Sequence, residues 1–437
     1  LDDSIAIVGS SHHFSRNSDS LFPFRQDSNF LYLSGFAEAE SVLVIRSLGK
    51  KKEFIMFCRD RDPLREQWDG FRAGPKGALS SFGADEAYSI SELDKVMPSL
   101  FKGVNNIYYS MKTPNGINLK LERWLDIIRA NVRQGSEAPN NIISLDLILD
   151  EMRLLKSERE VELMRKDCEI TSNAHIRAMQ KVTPQMFEYQ LEAEYIHQFM
   201  DEGARYPAYN SIVGGGNNAC ILHYNENKSR LKAGELVLVD AGCEYQYYAS
   251  DVTRTFPVSK KFTEEQKQIY KIVLEAHNQA CKEVKPGTPW DKVHKTSAKV
   301  ITEGLMDIGI LKGNLKDLIN KCSYEKFYMH RIGHWLGLDV HDVGNYKKNG
   351  EWRKLEKGMV LTIEPGVYIL DSLSGVDKKW LGIGIRIEDN LLVTGNGHEV
   401  LTDKAPIEEE NVMKEYYKKV LVFLCAVLKR IRDTWRR

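Results

Sequence analysis

Carboxylates stand in this chain where a buried strand would not tolerate them. The run Glu235-Leu236-Val237-Leu238-Val239 reads as a buried strand, yet it ends on Asp240, and Asp251 follows eleven residues later in Ser250-Asp251-Val252-Thr253-Arg254. An unpaired ionised carboxylate is costly to bury, so each acid either belongs to a turn or has a compensating partner. The pattern then repeats. Lys232-Ala233-Gly234, a strand and Asp240-Ala241-Gly242 are echoed by Lys357-Gly358, a strand over 359–363 and Glu364-Pro365-Gly366. Each copy runs on into a second strand with a second acid, Asp251 in the first and Glu388 (within Gly384-Ile385-Arg386-Ile387-Glu388) in the second. The echo predicts two related halves, each giving two carboxylates to a shared centre. Four acids gathered in an interior repel one another and stay protonated unless cations hold them.

Histidines supply the rest of a donor set. Of eleven in the chain, His330, His334 and His341 fall within twelve residues, in a stretch rich in glycine and apolar side chains that predicts an enclosed setting. A lone buried histidine is usually a core residue with its hydrogen bonds met, and the clustering weighs against that reading here. Arg331 stands where a zincin helix needs Glu, which removes that alternative. His223 lies in Cys220-Ile221-Leu222-His223-Tyr224, before the first strand. A carboxylate-rich set with one imidazole suits hard or borderline divalent ions such as manganese. Two ions about 3.5–4 Å apart share bridging acids and hold a water that loses its proton near neutral pH. The chemistry predicted is hydrolysis of an acyl bond, with histidines stabilising the oxyanion or shuttling protons. The glycines at 214–216 precede no Lys-Ser/Thr, so they read as a turn and not as a phosphate cradle.

The elements that must position these groups span two domains, as 437 residues imply. Residues 1–150 alternate short β-type runs (41–46, 53–58, 106–110) with helical spacing, and Leu48-Gly49-Lys50-Lys51-Lys52 reads as a turn between two strands. A capping box, Ser157-Glu158-Arg159-Glu160, opens a helix whose apolar face recurs at Val161, Met164, Cys168, His175 and Met179. Further helices are expected over 185–202, 263–283 (with a second capping box at Thr263) and 290–308, alternating with strands. Both domains are therefore mixed α/β (α+β).

Charge and composition narrow the class. Hydrophobic residues make up 42% and charged ones 28%, with Lys plus Arg equal to Asp plus Glu at 61 each, so no net field steers nucleic acid or a membrane surface. Seven scattered cysteines without a CxxC pair predict free thiols and a cytoplasmic setting. The start, LDDSIAIVGSSHH, shows no signal-peptide pattern, and an organellar location is the alternative. The apolar run at 420–428, before a basic end, is too short to span a bilayer and predicts a docked terminal helix.

In order and local context, Asp240, Asp251, His334, Glu364 and Glu388 resemble the five ligands of the pita-bread metallopeptidases. The segments FPFRQDSNFLYLSGF, ARYPAYNSIVGGGNNACILHY, LVLVDAGCEYQYYASDVTRTFPV, HWLGLDVHDVG and LTIEPGVYI resemble the aminopeptidase P type, over nearly the whole chain. The resemblance implies an amino-terminal α/β domain of the creatinase-N type over 1–150 and a pita-bread domain with a pseudo-twofold repeat over 151–437. It implies removal of the N-terminal residue from peptides with proline second, using two divalent ions, manganese foremost. Asp240 would chelate one ion, Asp251 would bridge, His334 would complete a shell, and Glu364 and Glu388 would contact the metals, Glu364 also accepting the water's proton. His223 and His341 would bind substrate and stabilise charge. His330 would line the proline pocket, Arg386 would orient the surrounding network, and Tyr368 would lie near the substrate. Asp19 and Trp68 match positions of the amino-terminal domain that approach the site, Trp68 from a neighbouring subunit of a homo-dimer or homo-tetramer; Arg153 would join Asp19 and Arg386. Two features depart from the family: Arg331 where Gly is usual, and the charged stretch after His341. A prolidase limited to Xaa-Pro dipeptides and an inactive peptide-binding pita-bread module are the alternatives. The ligands retained here count against the second.

Overall fold

The computed structural model describes residues 3–111 and 116–416; the apolar run at 420–428 and Cys425 lie outside the described residues. The chain forms two compact units, Leu1–Glu151 and Met152–Arg437. In the first, six strands order as β4-β3-β2-β1-β5-β6: β1 Ser4–Gly9, β2 Val42–Leu48, β3 Lys51–Cys58, β4 Glu86–Ser89, β5 Asn106–Tyr109 and β6 Asn141–Ser144. The centre strand β1 is buried along its whole length. Alternate residues face opposite sides. Ile5 and Ile7 pack with Met97 and Trp124, while Ala6 and Val8 pack with Phe30 and Phe36. The β2–β3 connection is tighter than expected. Gly49 takes φ 56°, so two residues make the turn and β3 starts at Lys51.

The second unit carries the doubled pattern. Besides the two-residue strand Tyr206–Pro207, its strands are β7 Ile212–Gly215, β8 Leu236–Asp240, β9 Cys243–Tyr245, β10 Tyr248–Ala249, β11 Thr253–Pro257, β12 Lys347–Lys348, β13 Glu351–Trp352, β14 Val360–Ile363, β15 Gly366–Ile369, β16 Ile383–Arg386, β17 Asp389–Val393 and β18 His398–Val400. One antiparallel sheet orders as β7-β8-β11 and its counterpart as β14-β17-β18. Each half also has a hairpin after its first acid, β9 with β10 and β15 with β16. The glycine two residues past the acid has the same cause in both halves. A Cβ at Gly242 would strike the Ser250 carbonyl, and one at Gly366 the Tyr368 hydroxyl. Asp240 is the last residue of its strand and does not open a turn.

Helices cover the sheets. The helix Glu158–Lys181 starts on the expected Ser157/Glu160 capping box, and Glu264–Glu283 on Thr263/Gln266. The helix expected from 185 begins at Glu188, after Gln185 takes a positive φ of 74°. Ile170, Ala174, Tyr195 and Phe199 bury against Val213, Val237, Val239 and Phe256 of the first half. Ile269 and Val273, with Ile301 and Leu305 of the helix Trp290–Asp307, bury against Val367, Ile369, Ile385 and Ile387 of the second. The glycine run is a turn only in part: Gly214 and Gly215 close β7, paired with β8, and the 3-10 turn runs from Gly216 to Cys220. The six described cysteines are free. Among the described residues no helix is long and apolar enough to cross a membrane.

Candidate metal centre

Backbone pairing brings the acids together. Asp240 ends β8 opposite Thr253 of β11, and Ile363, just before Glu364, pairs with Asp389, just after Glu388. The halves are then stitched across their seam. The Glu388 N–H donates to the Thr253 carbonyl at 3.1 Å. The Arg254 guanidinium, 1% exposed, donates to the carbonyls of Glu388 (2.5 Å), Thr253 (2.9 Å) and Ala405 (2.8 Å) and to Asp389 Oδ1 (2.6 Å). Asn390 takes the place of a strand partner for Asp251, accepting its N–H at 3.0 Å and donating to its carbonyl. His334 is set by a segment running beside β14: its N–H donates to Thr362 Oγ1 at 3.0 Å and its carbonyl accepts from Thr362 N–H at 2.9 Å. A Cβ at Gly333 would strike the Thr362 carbonyl, so this approach requires glycine.

The result is one cavity of about 90 Å³ lined by Asp240, Asp251, His334, Glu364 and Glu388 with His223, His330, His341 and Arg386. Larger hollows elsewhere on the chain hold none of these groups. One donor atom each from Asp251, His334 and Glu388 lie within 4.8 Å of one another. His334 Nε2 is 3.3 Å from Asp251 Oδ2 and 3.6 Å from Glu364 Oε1. Its Nδ1 donates to the Trp335 carbonyl at 2.9 Å, which turns Nε2 towards the acids. His341 packs edge-on to His334, ring centroids 4.2 Å apart.

A second chain of bonds fixes the other wall. Arg386 donates to Asp240 Oδ2 at 2.6 Å, to Thr253 Oγ1 at 3.0 Å and to the Tyr368 hydroxyl at 2.9 Å. Tyr368 in turn lies 2.8 Å from His330 Nε2, and His330 Nδ1 lies 2.8 Å from the Arg331 carbonyl. A carbonyl only accepts, so Nδ1 carries the proton and Nε2 accepts from tyrosine. Burial and the nearby Arg386 charge lower the His330 pKa to about 3, so the ring is neutral.

The electrostatics show what the acids lack. Burial raises the pKa of Glu364 to about 7. Burial and the neighbouring acids raise those of Glu388 and Asp251 as well. Burial would lower the His334 pKa, but Asp251 and Glu364 hold it up at about 9. In the metal-free protein these acids are met by protons, one arginine and one imidazolium. A buried, oxygen-rich set with one imidazole and too little positive charge fits divalent cations.

Three groups outside the sequence reading belong to this site. The Tyr209 hydroxyl reaches Asp240 Oδ1 at 2.6 Å and Asp251 Oδ1 at 2.5 Å, and Thr253 Oγ1 donates to Glu388 Oε2 at 2.6 Å. Asn390 is the third. None has a spacing signal of its own, although Tyr209 and Thr253 fall inside segments that carried the resemblance. Tyr209→Phe strips a donor shared by two carboxylates. Its expected effect is divalent-metal affinity about tenfold weaker, read by competition with a metal indicator.

Arg153 meets two aspartates of the stretch that follows His334. Its guanidinium sits on Asp339 at 2.8 Å and Asp342 at 2.6 Å, with Lys156 on the other oxygen of Asp342. The side-chain hydrogen bonds of Arg386 go to Asp240, Tyr368 and Thr253. In the amino-terminal unit Asp19 is exposed in a turn, and Trp68, on the helix Pro63–Asp69, is 87% exposed.

Residues 162–395 match metallopeptidase family M24, and residues 1–108 match the aminopeptidase P N-terminal domain. The Xaa-Pro aminopeptidase of Haemophilus influenzae is 44% identical over 393 residues, covering 90% of this chain and 88% of that one. Aminopeptidase PepP of Pseudomonas aeruginosa superposes with a TM-score of 0.94 at 47% identity, covering 96% of this chain and 95% of that one. Aminopeptidase P from Escherichia coli, solved with the inhibitor Pro-Leu, gives 0.92 at 42% identity, covering 95% and 94%.

Proposed function

The chain belongs to metallopeptidase family M24, and from that premise we propose that it removes the N-terminal residue from peptides with proline in second position. One observation carries the reading: five ligand-type side chains and three further histidines line a single cavity of about 90 Å³. Asp240, Asp251, His334, Glu364 and Glu388 would hold two divalent ions, and manganese suits their donor set. When bound, such ions lower the pKa of a water held between them and polarise a carbonyl.

The chain's own residues do the rest. Glu364, beside His334 in the cavity, takes up the proton released on attack and returns it to the leaving nitrogen. His223 and His341 supply hydrogen bonds to the reacting carbonyl, where charge develops. The neutral His330 ring, braced by Tyr368, offers a flat apolar wall to the proline ring. Proline needs such a wall because its nitrogen has no hydrogen to donate to a clamping strand. Arg386 holds the Asp240 carboxylate in place through a 2.6 Å contact. In a homo-dimer or homo-tetramer, a second copy would cover the exposed Trp68.

The test is release of alanine from Ala-Pro-Ala and from Ala-Pro. The expected result is cleavage of the tripeptide, abolished by a chelator and restored by manganese. Cleavage of the dipeptide alone would make the chain a prolidase, and metal-independent cleavage would remove the proposed chemistry altogether.

A further inference from the structure

Arg331, directly after His330, is exposed, and its guanidinium lies over the indole of Trp352 at 5.4 Å from the ring centroid. The Lys347 ammonium lies 4.6 Å from the same centroid. Trp352 and Lys347 are cross-strand partners in the short β12–β13 hairpin. One cation over an indole is a favourable contact. Two sharing a ring repel each other, and the ring's quadrupole offsets that only weakly. A surface carboxylate usually settles such a pair. Among the described residues none lies within ion-pair distance of either, and Glu356 is paired with Arg353.

This positive spot is tied to the cavity at both ends. His330 Nδ1 lies 3.6 Å from Glu364, and His330 lines the cavity. Tyr346, just before Lys347, stacks on Trp335 at 5.1 Å and accepts the Trp335 N–H at 3.0 Å. Trp335 follows His334. The Arg331–Trp352–Lys347 stack therefore bridges the stretch holding His330 and His334 to the hairpin that follows His341.

We propose that Arg331 and Lys347 form an anion-binding subsite for a carboxylate carried by the residue after proline. The inference rests on the reading of the cavity as a site for Xaa-Pro peptides. Consecutive Cα atoms are about 3.8 Å apart, so a peptide whose proline faces His330 brings its next residue level with Arg331. The guanidinium offers a planar fork to that carboxylate, and the ammonium adds a point charge. The carboxylate comes either from the C-terminus of a short peptide or from an acidic side chain in a longer one.

Pro-Leu, the inhibitor in the Escherichia coli structure, corresponds to the fragment left when Xaa-Pro-Leu is cut. The experiment titrates manganese-loaded protein calorimetrically with Pro-Leu and its C-terminal amide, and with the amides of Pro-Asp and Pro-Asn. We expect the charged member of at least one pair to bind about tenfold more tightly at low salt, and which pair does so identifies the source. That ratio falls towards one in Arg331→Gln and in Lys347→Gln. It persists in Lys271→Gln, which removes an exposed charge from the helix Glu264–Glu283. Equal binding within both pairs overturns the subsite, as does a preference that survives both substitutions or a failure of all four ligands to bind. These are binding readouts, so they stand apart from the tripeptide assay, where lack of cleavage counts against the activity and not against the subsite.

Discussion

Asp251→Ala is expected to lower kcat/KM for an Xaa-Pro tripeptide by about a thousandfold, while Asp251→Asn makes the metal-free protein more stable. The two effects have one cause. Asp251 sits among Asp240, Glu364 and Glu388, with its backbone pinned by Asn390 and its carboxylate facing His334. On the proposed reading that carboxylate would be one of the ligands holding the cations, and its loss would remove a donor at the centre of the set. Without them it is a charge held where burial and Asp240 oppose ionisation, so its folded-state pKa is raised.

The sign of the pH dependence follows. A carboxyl with a raised folded pKa gives its full stabilisation below its unfolded pKa and loses it as pH rises through the folded value. For Glu364 that window runs from 4.5 to about 7. The metal-free protein should therefore lose melting temperature across this range, by on the order of a few kcal/mol in stability. Asp251→Asn flattens the slope, and manganese reverses it because the ion competes with protons. Melting curves from pH 4 to 8, with chelator and with manganese, check all three. Full activity in Asp251→Ala would overturn the proposal that Asp251 holds a metal ion.

Arg254→Met should destabilise the second unit by about 3–5 kcal/mol, a fall in melting temperature of about 10 °C, and reduce manganese affinity with it. Arg254 touches no substrate. Its guanidinium joins β11 of the first half to Asp389 and the Glu388 carbonyl of the second, and both charges of the pair are at most 2% exposed. Removing the cation leaves Asp389 buried with His277 at 3.1 Å as its remaining charged partner. The seam then loosens where Asp251 and Glu388 must face each other. Asp389→Asn, which keeps the shape, should cost less. A melting curve and a manganese titration on both variants separate the two contributions. An unchanged metal affinity in a destabilised Arg254→Met would restrict the arginine to a structural role.

Much of this was legible in the residues because local rules govern it. The capping boxes at Ser157 and Thr263 set their helices where the pattern placed them, since the bonds involved span only three residues. The acids were visible because a charge closing an apolar strand contradicts its surroundings, and because the contradiction occurs twice. What stayed hidden depends on partners far away in the chain. Tyr209 reaches two carboxylates 31 and 42 residues on, Arg254 finds Asp389 135 residues on, and Asn390 grips Asp251 across 139. Arg153 is of the same kind. The resemblance suggested Arg153 for the network around the site, and the bonds to Asp339 and Asp342, nearly two hundred residues later, could not be read from its neighbours in the chain. A side chain's type and spacing say what it can do. Which group it meets is decided when separate strands pack at one seam, and no periodicity along the chain encodes that meeting.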